Sequence, residues 1–557
     1  NYMKDKELLN AYRCQNYIPI YNRFFTLNEN NYNSINLKNK YYLHKINKKI
    51  SDNIFDCDII DENQEIKKKN IFFKYSGILD PFKYVAGKYQ NNENLFNLPN
   101  LVNNRCDDKI LNYNNSAYID SFFYYITGKL LDNCNFLHGV QFYGSYLGIK
   151  KNLIIDICDE VESYSYNNFF SDNLNKLFLF KNKEYEQLLV DNSRKNKKKL
   201  QLEDNSYIKL KDVICIEEEF VDICDLKDIN LGKNQLKELV FERDKKININ
   251  ASQSNSINNT NSSKSTCSSR SSKTSSENDN SKNSNDNSDS NNEGDNSEEE
   301  ESSESSEESM ECSVNLEIKE FPVQIISIEN CKDTLDNLLI NDVNIEELNC
   351  IIIQILMILI TYQKLFKLTH NDLHTNNIMY VETEKVYLYY KFNDKHYKIK
   401  TYGKIFKIID FGRAIYEYKD QLICSDSYDI TGDANTQYNF EPYYNKNKPI
   451  VKPNFSFDLC RLGCSIYDYI IEKYENIEDI KVPIYKIILN WCKDDNNKDI
   501  LYKDNGEERY PDFKLYKMIA RKVNNHRPDQ ELNNKLFNKY IVSKKEIKKG
   551  ANIWNID

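Results

Sequence analysis

His370-Asn371-Asp372-Leu373-His374-Thr375-Asn376-Asn377 and, thirty-three residues past Asn377, Asp410-Phe411-Gly412 decide the reading of this 557-residue chain. A carboxylate, an amide five residues on, and a second carboxylate after a strand-like run form one chemical set. Asp372 can take a proton from a hydroxyl nucleophile. Asn377 and Asp410 offer hard oxygens, which suit Mg²⁺ held against phosphates because that ion keeps waters and needs few protein groups.

Working outward, the run before the first motif predicts a helix over 345–366, with Asn344 as N-cap and Glu347 three residues on. It is apolar nearly all round, so it is expected at the centre of the core. The stretch 378–410 predicts a β-hairpin, Val386 to Tyr390 and Tyr397 to Thr401, turning at Asn393-Asp394. Phe321 to Ile328 and Ile71 to Tyr75 read as strands, and Ala117 to Leu131 as a helix. Beyond residue 455 the pattern is mainly helical.

His-x-Asp-Leu-x-x-x-Asn followed by Asp-Phe-Gly resembles the catalytic and metal loops of eukaryotic-type protein kinases. Either motif alone is weak; in this order, each behind the expected element, they are specific. Asp458-Leu459-Cys460-Arg461-Leu462-Gly463 resembles the Asp-x-Trp-Ser-x-Gly that opens the central C-lobe helix, with Cys460 and Arg461 replacing Trp and Ser. The composition and residues 397–415 are similar to those of protein kinases of giant DNA viruses.

The resemblance covers 71–150 and 320–540. It implies an α+β, bilobal protein-kinase-like fold, with a small β-rich N-lobe, a larger helical C-lobe and a long disordered acidic insertion. It implies ATP and Mg²⁺ as cofactors and a protein substrate phosphorylated on Ser or Thr. Asp372 is then the base and His374 its neighbour, while Asn377 and Asp410 hold the metal. Lys74 contacts the α/β phosphates and pairs with Asp120. Glu329 to Cys331 form the hinge that binds adenine. His370, Phe411, Gly412 and Asp458 are structural, Asp458 by bonding the catalytic-loop backbone. Gln437 to Pro442 stands where the family has Ala-Pro-Glu, with Arg527 as the arginine for Glu441.

Three departures stand out. No glycine occurs in residues 1–70, so the Gly-rich loop over the phosphates is absent or rebuilt with larger residues. Asn371 replaces the arginine that grips an activation-loop phosphate. His374 replaces a lysine that touches the γ-phosphate, and its charge is weaker and pH-dependent. The His-x-Asp-Leu-His form also occurs in small-molecule phosphotransferases such as aminoglycoside kinases, so an aminoglycoside- or choline-kinase-like phosphotransferase is the second reading. A pseudokinase scaffold is the third reading: the missing glycines favour it, and the intact Asp372, Asn377, Asp410 set opposes it.

Composition bounds the rest. The net charge is 75 − 85 = −10, and residues 249–311 carry 14 acids and 4 bases, so the remainder is neutral. No basic excess points to nucleic acid. That segment is nearly free of apolar residues, so it is expected to be disordered and to offer an acidic face to basic partners. Fifteen cysteines without a CxxC pair, and no signal-peptide pattern, suit an intracellular, cytoplasmic setting, in host cytoplasm or virion if viral. No membrane span is expected, because the apolar run Cys350 to Tyr362 is short. The expected organisation is an N-terminal extension with the start of the N-lobe (1–70), N-lobe (71–150), insertion (151–248), linker (249–314), last N-lobe strand and hinge (315–331), C-lobe (332–545) and C-terminal tail (546–557).

Overall fold

Residues 6–102, 105–182, 185, 313–341, 343–474 and 477–557 are described by a computed structural model. They make a mixed α+β fold with a curled antiparallel sheet and a set of helices. Nearly all of the acidic linker, and the insertion beyond Tyr185, lie outside the described residues.

The strands are β1 (Ala11–Gln15), β2 (Tyr41–Lys49), β3 (Ile54–Asp61), β4 (Ile66–Gly77), β5 (Phe142–Asp156), β6 (Phe178–Phe180), β7 (Asn315–Glu329), β8 (Asp333–Thr334), β9 (Ile378–Glu382), β10 (Tyr387–Phe392), β11 (Lys395–Lys400), β12 (Lys404–Ile408), β13 (Ile415–Tyr418), β14 (Gln421–Cys424), β15 (Ile541–Val542) and β16 (Ile553–Asn555). The large sheet runs β1-β5-β7-β4-β3-β2, with β6 also paired to β7. Central β7 is buried continuously from Phe321 to Ile328, which explains why its sequence is an unbroken apolar run rather than an alternation. Ile326 lies opposite both Lys74 and Ser145, so register fixes where Lys74 sits.

Two expected boundaries move. Residue 150 is not an edge, because β5 continues to Asp156 with Leu153 opposite Ile318. The pairing partner for that extension comes from far along the chain, so residues 151–156 gave no local sign of it. The tail 546–557 is not an appendage either. β16 pairs in parallel with β10, and the Trp554 ring packs on Phe136 and donates to the Thr361 hydroxyl at 3.0 Å. Removing residues 546–557 should therefore cost about 1.5–3 kcal/mol, the burial of one large side chain, read as a lower unfolding midpoint.

The long helix spans Ile345–Phe366, and Asn344 Oδ1 accepts from Glu347 N at 2.9 Å. It ends where Lys367 turns left-handed (φ 49°). Leu348 to Gln363 is buried without a break. By length and composition it could cross a membrane, yet 83% of its apolar window is buried against protein. The expected hairpin is β10–β11, and Asn393 and Asp394 both take positive φ, as a tight two-residue turn requires. Where the glycine loop was sought, β2 and β3 are joined by the turn 50–53. Ser51 Oγ accepts from Ile54 N there, and Lys49 holds Asp52 at 2.8 Å.

Candidate active site

Two pairings assemble the site. β9 and β12 run antiparallel with Ile378 opposite Ile408, and Ile409 N donates to Asn377 O at 3.0 Å. This brings the end of the 370–377 loop against Asp410. Helix Phe457–Ile471 then fixes the loop from below. Asp458, fully buried, accepts from His370 N (2.9 Å) and Asn371 N (2.8 Å). Burial pushes its carboxyl up, while His370 and these two bonds oppose that. Asp458→Ala should strand two buried N–H groups, at about 1–3 kcal/mol each. The expected thermal destabilisation is larger than for Asp458→Asn, which keeps one acceptor oxygen.

Helix Ser116–Cys134 supplies the opposite wall. Its N-cap Asn115 accepts from Ala117 N, and its second turn sets Asp120 against Lys74 of β4. Lys74 Nζ lies 2.7 Å from Asp120 and 3.0 Å from Asp410. The shorter aspartate therefore reaches the lysine. Burial works against the Lys74 charge, but Asp120 and Asp410 outweigh it and hold the ammonium protonated. Asp120 also accepts from Phe411 N at 2.7 Å, and the Tyr124 hydroxyl accepts from Asp410 N at 2.9 Å. Asp410 itself sits at φ 63°, a left-handed backbone held by these contacts.

Phe411 is wholly buried among Phe123, Tyr124, Tyr362 and His370, and His370 Nε2 bonds Ile409 O at 2.8 Å. Gly412 lends its carbonyl to the Ser425 hydroxyl at 2.6 Å. A Cβ there would meet Asp410 Oδ1 at 3.5 Å, an ordinary contact, so sterics do not demand glycine.

Asp372 is a quarter exposed. Its Oδ1 accepts from the Tyr516 hydroxyl at 2.7 Å, and its Oδ2 lies 3.8 Å from Arg413. Burial opposes ionisation, yet Arg413, His374, Arg461 and the Tyr516 bond together hold the carboxyl down at about 2. His374 goes the other way: burial lowers it to about 4 despite the Asp372 charge, so near neutrality the ring is uncharged. Its Nε2 then accepts from Asn377 Nδ2 at 3.0 Å, while the same amide donates to Asp372 O at 2.9 Å.

Asn377 is thereby oriented, because its nitrogen is spent and its oxygen has no partner among the described residues. Asn377 Oδ1 and the half-exposed Asp410 carboxylate fit a Mg²⁺ that takes its other oxygens from water and phosphate. No group of three or more His, Cys, Asp or Glu suited to a metal occurs among the described residues.

Two expectations are corrected, and a third, Cys331 in the connector, is kept. Glu329 ends β7 rather than opening the hinge. Its N–H goes to Gln141 O, and its carboxylate binds Gln141 N and the buried Lys407, which ties β7 to β12. Cys331 does lie in the connector, and its backbone N–H and C=O have no partner among the described residues. Glu441 is exposed and Arg527 turns to Asp529 at 3.1 Å, so that expected pair is not made.

Tyr516, Asp433, Asp426 and Lys407 escaped the sequence reading, since each meets the site only through tertiary contact. The arginine at 461, replacing a small residue, was the one visible sign. No family model matches the chain, and no curated protein matches it.

Proposed function

We propose that the chain is a protein kinase that transfers the γ-phosphate of ATP to Ser or Thr hydroxyls, with the large sheet and helix Ser116–Cys134 as its N-lobe and the remaining helices as its C-lobe. The observation that carries this reading is the Lys74–Asp120–Asp410 contact, set across from Asp372 and Asn377. One partly buried lysine is shared by two carboxylates from separate elements, which suits a group that must meet phosphate oxygens. Sheet order adds support, because β4 with its lysine is flanked by β3 and β7, as the kinase resemblance implies.

In this reading the free backbone of Cys331 receives adenine. Lys74 orients the phosphates and Asp120 orients Lys74. Asp372 accepts the proton of the attacking hydroxyl, and its low pKa keeps it ionised at neutral pH. Mg²⁺, held by Asn377 and Asp410, would supply charge neutralisation of the phosphates.

The test pairs two measurements on the intact protein. Mg²⁺-ATP should raise the unfolding temperature, and labelled γ-phosphate should appear on a generic protein substrate. Binding without transfer to protein or to an aminoglycoside would favour the pseudokinase, and transfer to the aminoglycoside alone the small-molecule enzyme.

A further inference from the structure

We infer that Tyr516 is the positioning residue of the base Asp372, and that Arg461 orients Tyr516 for that task. The inference rests on Asp372 being the base of the proposed transfer.

The hydrogen-bond directions are forced. A guanidinium can only donate, so Arg461 Nε, 3.0 Å from the Tyr516 oxygen, spends a lone pair of that oxygen. The single phenol proton is left to point at Asp372 Oδ1, 2.7 Å away. The ring has no room to turn. It is 2% exposed, stacks on Phe513 at 5.4 Å, and carries the Arg461 and Arg413 guanidiniums at 5.2 and 5.6 Å. Tyr516 thus commits Oδ1 and leaves Oδ2, 3.8 Å from Arg413, as the oxygen to receive a substrate proton.

Among the described residues Arg461 makes no side-chain hydrogen bond but the one to Tyr516, and its charge also acts on Asp372. It is 1% exposed, and its Nη1 and Nη2 have no hydrogen-bond partner among the described residues. A buried guanidinium without a carboxylate partner is a burden to the fold. Its one directed bond is the one that aims the Tyr516 proton. Without that hydroxyl the carboxylate is free to rotate and close a bidentate pair with Arg413, which would occupy both oxygens and remove the acceptor from the substrate. The device joins the 370–377 loop to helices Phe457–Ile471 and Lys514–Lys522, elements that are far apart in sequence.

Tyr516→Phe removes the hydroxyl and little else. We expect kcat to fall about 10- to 100-fold, the reach of one hydrogen bond to a charged group. KM for ATP and for the protein substrate should stay within about twofold, because neither touches this bond. Arg461→Met should lower kcat alone, and in the Tyr516→Phe background its further effect should be smaller than in the wild type, because the part carried by the Tyr516 proton is already lost. A Tyr516→Phe enzyme with wild-type kcat, or with KM raised in step with the lost rate, overturns the inference. So does a double variant in which the two losses multiply. If Arg461→Met does not fold, the kcat and KM of Tyr516→Phe decide alone. Wild-type protein that transfers no phosphate would defeat the proposed function itself; active wild type with an unaffected Tyr516→Phe defeats only the present inference.

Discussion

Asp372→Asn should abolish phosphate transfer, with kcat reduced by about 10²–10⁴-fold, while Mg²⁺-ATP binding stays within about twofold. The amide keeps an oxygen for Tyr516 and nearly the same shape, so the loop should hold. What it lacks is a site for the proton. Asp410→Ala gives the complementary result: ATP binding that no longer depends on Mg²⁺, and no transfer. Thermal shift against ATP with and without Mg²⁺, beside single-turnover transfer, separates the two. Wild-type transfer by Asp372→Asn would remove Asp372 from the chemistry.

The low titration of Asp372 has a consequence for pH. A carboxyl that ionises near 2 in the fold, below the usual value of about 3.9, favours the folded state while ionised. That contribution is complete above the ordinary carboxylate range and is lost as pH falls through about 2. An acid limb of the rate profile above about pH 4 therefore belongs to another group.

Activity should not require phosphorylation of residues 413–455, the span after Asp410-Phe411-Gly412 where the kinase resemblance puts the activation segment, and Asp433→Ala should reduce kcat by about 10-fold. Asn371 carries no charge, and its amide is fully used: Nδ2 donates to Thr369 O and Arg413 O, and Oδ1 accepts from the Tyr438 hydroxyl. The grip comes instead from carboxylates of the segment itself. Arg413 pairs with Asp433 at 2.6 Å. Lys109 pairs with Asp426 at 2.6 Å, and the other Asp426 oxygen accepts from Ser116 N, which anchors the segment to the helix that bears Asp120. Ser425 and Ser427 are buried, so a phosphate on either would have to open the fold.

The Arg413–Asp433 pair is only partly buried, its side chains 12% and 37% exposed, so breaking it costs less than the about 3–5 kcal/mol of a fully buried pair. In Asp433→Ala the nearest carboxylate to Arg413 among the described residues is Asp372, so the loss should fall on the base. The check is protein made in bacteria, treated with phosphatase, and compared with Asp433→Ala and with Thr431→Ala, Thr436→Ala. Full activity after phosphatase, and in the threonine variants, is expected. An enzyme silenced by phosphatase would sink the idea, as would an Asp433→Ala enzyme of undiminished rate.

Local chemistry made much of this readable in advance. The 345–366 helix follows from its unbroken apolar run and the Asn344 cap, both short-range features. The β10–β11 turn follows from two residues that tolerate positive φ. The chemical set Asp372, Asn377 and Asp410 follows from residue type and spacing, because the carriers of proton and cation chemistry are few. Lys74 and Asp120 were reachable only by resemblance, and they do meet.

Other features were decided by packing between distant segments. Glu329 left the expected hinge because Lys407, seventy-eight residues later, offers a buried cation that its carboxylate must satisfy. The tail became a strand because β10 had a free edge for it. Tyr516 lies 144 residues from Asp372, so no period or spacing connects them. Sequence by itself determined which side chains carry chemistry and which short elements hold them. Only the tertiary structure decided which oxygen of Asp372 is free and which charges hold the 413–455 segment, because hydrogen-bond direction and burial exist only once separate elements have closed on one another.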